Sequence, residues 1–298
     1  MYYLRNFDKQ ADAVGQKAYL PTIAIVGGVN KVGYFDGDAS KDNVFSEDGN
    51  FINVEEKETR VVCTYNVTST TEATKLLYTG LTLSNIASME VDGVNTTVAT
   101  GYTFTTTGEH TVKFTFKDNT TISDFAFFNC TGLTSATIPS CVINIGDRAF
   151  YNTPWYKSYS ADTANQYGNI IYINNVAYQP ITTGITSCEF KEGTVGIGNK
   201  AFLNCTGLTS VVIPDSVTTI GDYAFDSCTS LTSVTIPDSV TKIGYSTFGS
   251  CEGLTSVTIP DSVTSIGDAA FSNCFRLTSI TIPDSVTSIG SDTFRDCI

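Results

Sequence analysis

The sequence predicts a mainly β protein, a right-handed solenoid of 23-residue repeats preceded by a small antiparallel β-sandwich. Two observations predict this fold. A phrase recurs at a fixed interval through the C-terminal half of the chain, which is the signature of stacked repeats. The segment before the repeats alternates apolar and polar residues, as half-buried strands do. We therefore divide the chain into a segment of uncertain fold (1–55), a sandwich (56–119) and a solenoid (120–298).

The repeated phrase is Leu-Thr-Ser-Val-Thr-Ile-Pro-Asp-Ser-Val-Thr-x-Ile-Gly. It begins at Leu231, at Leu254 and, with one Ile for Val, at Leu277, and variants begin at Leu208 and Leu133. Its last isoleucine recurs every 23 residues, at Ile197, Ile220, Ile243, Ile266 and Ile289. The earlier pair Ile122 and Ile145 has the same spacing, and the gap of 52 to the next isoleucine is one repeat plus 29 residues. An insertion is therefore expected at about 151–190.

Each repeat has a physical interpretation as one coil. Leu231, Val234 and Ile236 point inward, while the Thr and Ser residues between them point outward. The proline that follows ends the strand, because it has no N–H to donate. Phe248 and Cys251, three residues apart, return the chain through a helical or 3₁₀ turn. No single repeat can bury this apolar stripe, so stacking predicts a parallel sheet along one face.

The block Ile-Gly-x-x-Ala/Thr-Phe-x-x-Cys-x-x-Leu-Thr-Ser-Val-x-Ile-Pro resembles the BspA-type leucine-rich repeats of bacterial surface proteins, also found in some protozoa. The resemblance covers about 122–298. It implies a cell-surface or secreted protein that binds host proteins, other cells or extracellular matrix, and it implies neither an enzyme nor a particular ligand. The second repeat departs from the pattern, with Thr153 in place of Cys. The last repeat stops before its own strand, so we expect the natural protein to continue past Ile298 or a partner to protect this end.

Six of the nine cysteines share one repeat position. They are Cys130, Cys205, Cys228, Cys251, Cys274 and Cys297. We expect small buried thiols there, because neighbouring coils lie about 5 Å apart with parallel Cβ vectors, which disfavours disulfide geometry. The equivalent sites form a row and do not converge on a metal. Cys63, Cys141 and Cys188 lie outside the row, and a disulfide between two of them stays open.

The sandwich is predicted from strand-like alternation between about 60 and 118. Val112, Phe114 and Phe116 fall on one face of a period-2 segment. The stretch from Tyr102 to Phe114 resembles the closing hairpin of bacterial Ig-like domains. Further strands are predicted at Val61–Thr68, Lys75–Ser84 and Gly101–Thr105. Such a module acts as a spacer or buries the open first coil of the solenoid.

Residues 1–55 carry weaker signals. A short helix is predicted at Asn6–Ala18 and a strand at Leu20–Val26. Oxygen side chains between Asp36 and Glu47 follow the spacing of a calcium loop, but Lys41 stands where glycine is needed. We interpret this stretch as a solvated acidic loop, and we expect no metal and no cofactor.

Composition excludes several functions. The chain carries 17 Lys and Arg against 30 Asp and Glu, a net charge of −13, which argues against nucleic acid and anionic membranes as partners. No apolar run reaches the roughly 18 residues of a membrane helix, and the start lacks a signal-peptide pattern. Surface location is therefore expected from the family resemblance alone. With His110 as its single histidine and no catalytic motif, the chain is not expected to be an enzyme.

Two candidate ligand surfaces follow. One is the set of outward threonines on the predicted sheet, Thr209, Thr232, Thr235, Thr255, Thr258, Thr278 and Thr281. Short hydroxyls also suit exposed strands without any ligand. The other is the aromatic insertion, with Trp155, Tyr156 and Tyr159 as its candidate residues. Its aromatics equally fit a patch on the solenoid, because Ile170–Ile173 and Val176–Tyr178 predict a hairpin around Asn174-Asn175.

Taken together, the sequence predicts a non-catalytic adhesion or protein-interaction protein at the cell surface or outside the cell. Its partner would be a host or neighbouring-cell protein or glycan. Two alternatives remain open: a structural spacer in a surface or tail-like fibre, and a glycan-recognition accessory module. The repeated acidic residues after each proline, Asp215, Asp238, Asp261 and Asp284, are interpreted as turn and solubility residues.

Overall fold

A computed structural model describes residues 60–297 of the protein and, nearer the N-terminus, the backbone of two strands. The chain forms two compact units, Met1–Glu58 and Thr59–Ile298. In the first unit, β1 (Pro21–Val26) and β2 (Val29–Tyr34) form an antiparallel pair. The first of these confirms the strand predicted from residue 20. The predicted helix and the acidic loop of residues 1–55 lie outside the described residues.

The second unit consists of short strands and one helix. Before the repeats come β3 (Val61–Val67), β4 (Thr74–Lys75), β5 (Ile86–Val91), β6 (Val94–Thr96), β7 (Gly101–Tyr102) and β8 (Gly108–Phe116). The first two repeats contain β9 (Thr121–Ile122), β10 (Leu133–Thr137) and β11 (Asn144–Ile145). The insertion contains α1 (Pro154–Ala161), β12 (Gln166–Tyr167), β13 (Ile170–Ile173) and β14 (Val176–Pro180). The later repeats contain β15 (Gly196–Ile197), β16 (Val211–Val212), β17 (Thr219–Ile220), β18 (Ser233–Thr235), β19 (Lys242–Ile243), β20 (Ser256–Thr258), β21 (Ser265–Ile266) and β22 (Ser288–Ile289). Two 3₁₀ turns occupy Leu83–Asn85 and Thr163–Asn165.

An antiparallel sheet precedes the solenoid, with strand order β10-β3-β8-β5-β6. Val112, Phe114 and Phe116 of β8 are all buried, as their alternation predicts. The strand predicted over Lys75–Ser84 is mostly wrong, because only its first residue is in a strand (β4) and β5 begins at Ile86. The β5–β6 hairpin turns at Asp92-Gly93, where both residues have positive φ, the conformation that favours Asp-Gly in two-residue hairpins.

This antiparallel sheet covers the first coil of the solenoid. Strand β10, which carries the repeat phrase of the first coil, pairs antiparallel with β3. Side chains of both parts, from Val61 to Ile145, belong to one buried cluster. Of the two roles expected for the N-terminal module, spacer or cover of the open first coil, these contacts favour the second. The Ig-like sandwich itself, and a domain boundary at 119/120, stay predictions.

The repeats stack as a β-solenoid of about seven turns. One parallel ladder joins β16, β18 and β20, with Val211 opposite Val234 and Val234 opposite Val257. The other ladder joins β15 to β17, and β19 to β21 and β22. Every pairing in these ladders links residues 23 apart. The predicted period therefore sets the register directly.

The core is a column of stacked phenylalanine rings. Phe202, Phe225, Phe248, Phe271 and Phe294 lie face to face, with centroids 5.1–5.7 Å apart and planes within 9° of parallel. Their backbones also bond from coil to coil; the N–H of Phe248, for example, donates to the Ala270 carbonyl at 2.9 Å. Apolar burial and backbone hydrogen bonding therefore depend on the same neighbour.

The cysteine row lies beside this column. All nine cysteines are free thiols, so no disulfide joins Cys63, Cys141 and Cys188. The thiol of Cys251 donates to the Phe225 carbonyl of the preceding coil at 3.2 Å. Equivalent bonds link Cys228 to Phe202, Cys274 to Phe248 and Cys297 to Phe271. The expectation of buried thiols is confirmed for five of the six cysteines, and Cys297 is half-buried. Each of the four cross-coil thiol bonds adds a contact at a carbonyl that also accepts an N–H in its own coil, as the Phe225 carbonyl does from the Cys228 N–H.

Replacing a stacked ring with alanine should destabilise the whole unit. We expect Phe248→Ala to lower the free energy of unfolding by about 3–5 kcal/mol, because it leaves a cavity in a fully buried column. Phe275→Ala is the matched control, since that ring is 43% exposed, and it should change the value by about 0.5 kcal/mol or less. Urea unfolding measures both. An equal loss of unfolding free energy in the two variants would contradict the stabilising role of the stacked rings.

The cysteine row should make stability depend on pH. Burial raises the pKa of Cys274 to about 12, whereas an unfolded thiol ionises near about 8.5. The unfolded chain therefore loses this proton first, and stability should be constant below about pH 8.5 and fall above it, by at most about 1.4 kcal/mol per pH unit per thiol. Urea unfolding between pH 8 and 9.5 measures the slope.

Cys274→Ala should reduce this slope by the contribution of one thiol, because the other buried cysteines of the row still contribute, while Val212→Ala, at an exposed position, should leave it unchanged. A slope that is the same in wild type and in Cys274→Ala would contradict the contribution of the Cys274 thiol.

Candidate functional site

The outward positions of β16, β18 and β20 form a flat surface, which we call the sheet face. It has three rows of exposed side chains, one residue per coil in each row. The rows are Thr209, Thr232 and Thr255; Ser210, Ser233 and Ser256; and Val212, Thr235 and Thr258. Parallel pairing places Thr235 beside Val212 on one side and Thr258 on the other. Neighbouring strands lie about 4.8 Å apart, so the rows are closely spaced.

The two threonine rows of the sheet face differ in their hydrogen bonds. The hydroxyls of Thr209, Thr232 and Thr255 each donate to a carbonyl of the preceding coil, at 3.1–3.3 Å. The structural interpretation of short hydroxyls on strands therefore holds for this row. Thr235 and Thr258, by contrast, have no side-chain hydrogen bond to any residue within 60–297. Their hydroxyls are free for a ligand.

Val212 is a functional candidate that sequence reasoning missed. It occupies the row of Thr235 and Thr258, yet 82% of its surface is exposed. Aligning the repeats gives the signal, because an apolar residue stands at an outward position where the following repeats have threonine. An exposed branched apolar side chain on a rigid strand gives a ligand contact area without the loss of side-chain freedom that a long residue suffers.

The remaining predicted threonines lie beyond the sheet. Thr278 and Thr281 are exposed, but the structure assigns no strand between Leu277 and Ile282. The sheet pairs only as far as β20, so the predicted row ends at Ser256–Thr258. Within the described chain this last segment has a neighbouring coil on one side only, and one-sided pairing holds a strand less firmly.

The sheet face carries no charge. All nine residues of its three rows are Thr, Ser or Val, in a chain whose net charge is −13. The acidic residues of these repeats, Asp215, Asp238 and Asp261, are exposed in the turns after the prolines. Depletion of charge is the compositional mark of the core of protein–protein interfaces. The repeats therefore combine acidic turns with one neutral, exposed surface.

The insertion begins with a helix that replaces a repeat strand. Thr153 caps α1: its hydroxyl accepts from the Tyr156 N–H at 3.0 Å and donates to the Phe150 carbonyl at 2.9 Å. Pro154 occupies the first turn, where its missing N–H costs nothing. The Thr-Pro pair was the sequence signal for this helix, which the repeat pattern did not predict. Threonine stands here instead of cysteine because the position has become a helix cap.

The insertion also determines where the predicted aromatics lie. Trp155 and Tyr156 are each 8% exposed, and Trp155 packs edge-on against Phe150 with centroids 4.6 Å apart. Tyr156 packs in the same way against Tyr178 at 5.5 Å. These two side chains belong to the core and offer a ligand little surface. Tyr159 is half-buried, 4.9 Å from Trp155.

The predicted hairpin of the insertion is confirmed. Strands β13 and β14 pair antiparallel, from Ile170 opposite Pro180 to Ile173 opposite Val176. Strand β14 then pairs in parallel with β15, with Ala177 opposite Ile197. The hairpin thus supplies one rung of the solenoid, and the ladder continues through the insertion.

The single histidine occupies a structural position. His110 Nδ1 lies 2.6 Å from Asp92 Oδ2, and its Nε2 lies 3.0 Å from the Thr106 carbonyl. Partial burial raises the pKa of Asp92, but hydrogen bonds from His110 and from the Thr111 N–H outweigh it and hold that pKa below its usual range. These bonds tie the β5–β6 turn to β8. Between residues 60 and 297 no three His, Cys, Asp or Glu residues come together as a metal site would need.

The fold and the surface define the class of protein. Stacked coils of one period, with strands that pair in parallel between the later coils and one continuous apolar core, make this a leucine-rich-repeat solenoid. The BspA type leucine-rich repeat region matches the chain in six copies, over residues 97–179 and 171–298. The chain belongs to this family. Solenoids of this kind are typically non-catalytic interaction scaffolds, and leucine-rich-repeat proteins generally bind proteins.

Partial similarity to solved bacterial leucine-rich-repeat proteins was found. A leucine-rich-repeat protein of T. pallidum is 35% identical over 41% of this chain and 59% of that one, with a TM-score of 0.39. A leucine-rich cell surface protein of Faecalibacterium prausnitzii is 28% identical over 61% of this chain and 56% of that one, with a TM-score of 0.42. A leucine-rich-repeat protein of Bacteroides ovatus is 22% identical over 60% of this chain and 44% of that one, with a TM-score of 0.34.

The alignments with these structures span 44–59% of their lengths. The family assignment depends on the repeat match and not on these likenesses. No curated protein matches the chain significantly. Among the described residues, no helix combines the length and the apolar character needed to cross a membrane.

The Thr153 cap provides a test of the insertion. We expect Thr153→Ala to lower the free energy of unfolding by about 1–2 kcal/mol, because the Tyr156 N–H loses its acceptor at a buried helix end. Thr153→Ser keeps the hydroxyl and should lose much less. Urea unfolding of both variants measures the difference. A serine variant as unstable as the alanine variant would contradict the capping role.

Proposed function

We propose that this chain is a non-catalytic binding protein that holds a partner protein on its sheet face. The observation that carries the proposal is the neutral surface of nine exposed Thr, Ser and Val residues on a chain of net charge −13. A partner can cover this surface without desolvating any charge, which is the main cost of burying polar protein surface.

The rigidity of the sheet face supports the same proposal. Its strands are held in parallel register by backbone bonds such as Thr255 N–H to the Thr232 carbonyl, at 2.9 Å. Side chains of Thr and Val have few rotamers to lose when a partner covers them. Val212 supplies an apolar contact, and the free hydroxyls of Thr235 and Thr258 supply hydrogen bonds beside it. A partner would meet a preorganised surface.

The biological setting is part of the proposal. BspA-type leucine-rich-repeat proteins are typically surface-associated, and we propose a bacterial cell-surface or extracellular location and a role in adhesion. The partner would be a host or neighbouring-cell protein. The antiparallel module, which we propose to be Ig-like, would close one end of the solenoid and act as a spacer. Candidate sites at Thr278 and Thr281 would extend the contact beyond the sheet.

The test places charge on the sheet face. We expect Thr235→Arg combined with Thr258→Arg to abolish saturable binding to whichever member of a panel of extracellular-matrix proteins the wild type binds, because two arginines would be desolvated without a partner. Surface plasmon resonance measures binding. Thr241→Arg combined with Thr264→Arg is the matched control, since these exposed threonines lie in the same repeats on the other ladder.

Loss of binding in the control pair but not in the sheet-face pair would overturn this assignment. A wild type that binds no protein in the panel, nor any intact cell surface, would favour a spacer in a fibre. Binding confined to a glycan array would favour a glycan-recognition module.

A further inference from the structure

A small pocket in the insertion lies apart from the sheet face. Its volume is about 250 Å³, and it is formed by the end of α1, the following 3₁₀ turn, β13 and Lys191. This volume is below the range of roughly 300–1,000 Å³ typical of pockets for drug-sized ligands. The pocket therefore suits a ligand the size of a single ring.

Three side-chain amides line the pocket, and each is fixed in orientation. The NH₂ groups of Asn165 and Gln166 donate to the carbonyls of Tyr159 and Ser160, at 2.9 and 2.7 Å. The NH₂ group of Asn174 donates to the Ile138 carbonyl at 2.8 Å. A carbonyl can only accept, so the amide nitrogens must point to the protein. Their three oxygens have no partner within residues 60–297 and remain as acceptors.

A lysine and a tyrosine also line the pocket. The Lys191 ammonium donates to the Asn174 carbonyl at 2.6 Å and lies 4.6 Å from the centre of the Tyr172 ring. The Tyr172 hydroxyl accepts from the Lys191 backbone N–H at 3.0 Å and lies 3.3 Å from the Thr194 hydroxyl. An ammonium has three N–H donors, so two remain for a ligand. Both side chains are held in place before any ligand arrives.

The rim is held by a close approach of two chain segments. The Tyr167 hydroxyl donates to Glu189 Oε1 at 3.0 Å, which fixes the orientation of an exposed ring that lines the pocket. Gly168, at φ 54°, follows directly, and a Cβ there would collide with the Glu189 backbone carbonyl. Only glycine allows both the positive φ and the contact. The backbone conformation at Gly168 therefore fixes the position of the neighbouring Tyr167 ring.

We propose that this pocket binds one sugar ring of a glycan. A sugar ring carries several hydroxyl donors for the three amide oxygens, ring and hydroxyl oxygens for the ammonium, and a C–H face for the tyrosine rings. An apolar ligand would leave the fixed polar groups unpaired, which is costly. A nucleotide would bring two or more negative charges to a pocket whose lining has one cation. The site is independent of the sheet face.

The test uses the full chain and saturation-transfer NMR with the methyl glycosides of glucose, galactose, mannose and N-acetylglucosamine. We expect saturable binding of at least one of them. Lys191→Met, which keeps the backbone N–H to Tyr172, and Tyr167→Ala, which removes an exposed ring, should each weaken that binding at least tenfold. Tyr151→Ala is the matched control, because that ring is 54% exposed outside the pocket, and it should leave binding unchanged.

Absence of signal from all four glycosides with the wild type would overturn the proposal. So would undiminished binding in Tyr167→Ala, whose exposed position keeps the test valid even if Lys191→Met fails to fold. Binding that survives in both pocket variants but is lost in Tyr151→Ala would place the sugar elsewhere. Arginines at Thr235 and Thr258 should not alter sugar binding, which separates this site from the sheet face.

Discussion

The structure depends on one constraint, the contact of each coil with the next at a spacing of 23 residues. A single coil of this length cannot bury its Phe, Leu, Ile and Cys side chains, and it leaves its backbone N–H and C=O groups unpaired. The next coil provides for both, through ring stacking such as Phe225 on Phe248 and through backbone bonds such as the Phe225 N–H to the Thr247 carbonyl, at 2.9 Å. Stability in such a stack is the sum of coil and neighbour terms, so it accumulates only when the register is kept.

The same constraint produces the proposed binding surface. A fixed period places identical outward positions in straight rows, and the rows are as regular as the core behind them. Short hydroxyl and branched side chains at these positions do not destabilise the sheet. Thr and Ser residues there are therefore compatible with a purely structural role and with a binding role. The hydrogen bonds resolve part of this ambiguity: the Thr232 hydroxyl bonds to the preceding coil, whereas Thr235 faces solvent. The insertion departs from the repeat pattern, so its residues can form a pocket that the other coils do not repeat.

Much of the fold could be predicted because it is encoded locally and repeatedly. The 23-residue register and the buried cysteine row follow from spacing alone, and the hairpin of β13 and β14 follows from two apolar segments around Asn174-Asn175. What could not be predicted depends on non-local pairing. That the strand at Leu133–Thr137 joins the antiparallel sheet, and that Trp155 turns into the core, are decided by neighbours far along the chain. The Asp92-Gly93 pair is a sequence signal for a two-residue hairpin, but we did not predict this hairpin from the sequence.

The central claim is that register between coils, and not any single coil, maintains the fold. Deleting residues 231–253 tests it most directly, because Ser230 then joins Leu254 exactly one repeat later and every remaining ladder keeps its period. We expect this deletion variant to fold and to unfold in urea cooperatively, at a lower midpoint than the wild type. When only residues 231–242 are removed, we expect no cooperative unfolding transition, because every later coil is then out of register. A 23-residue deletion that unfolds the chain, or a half-coil deletion that leaves it as stable, would contradict the claim.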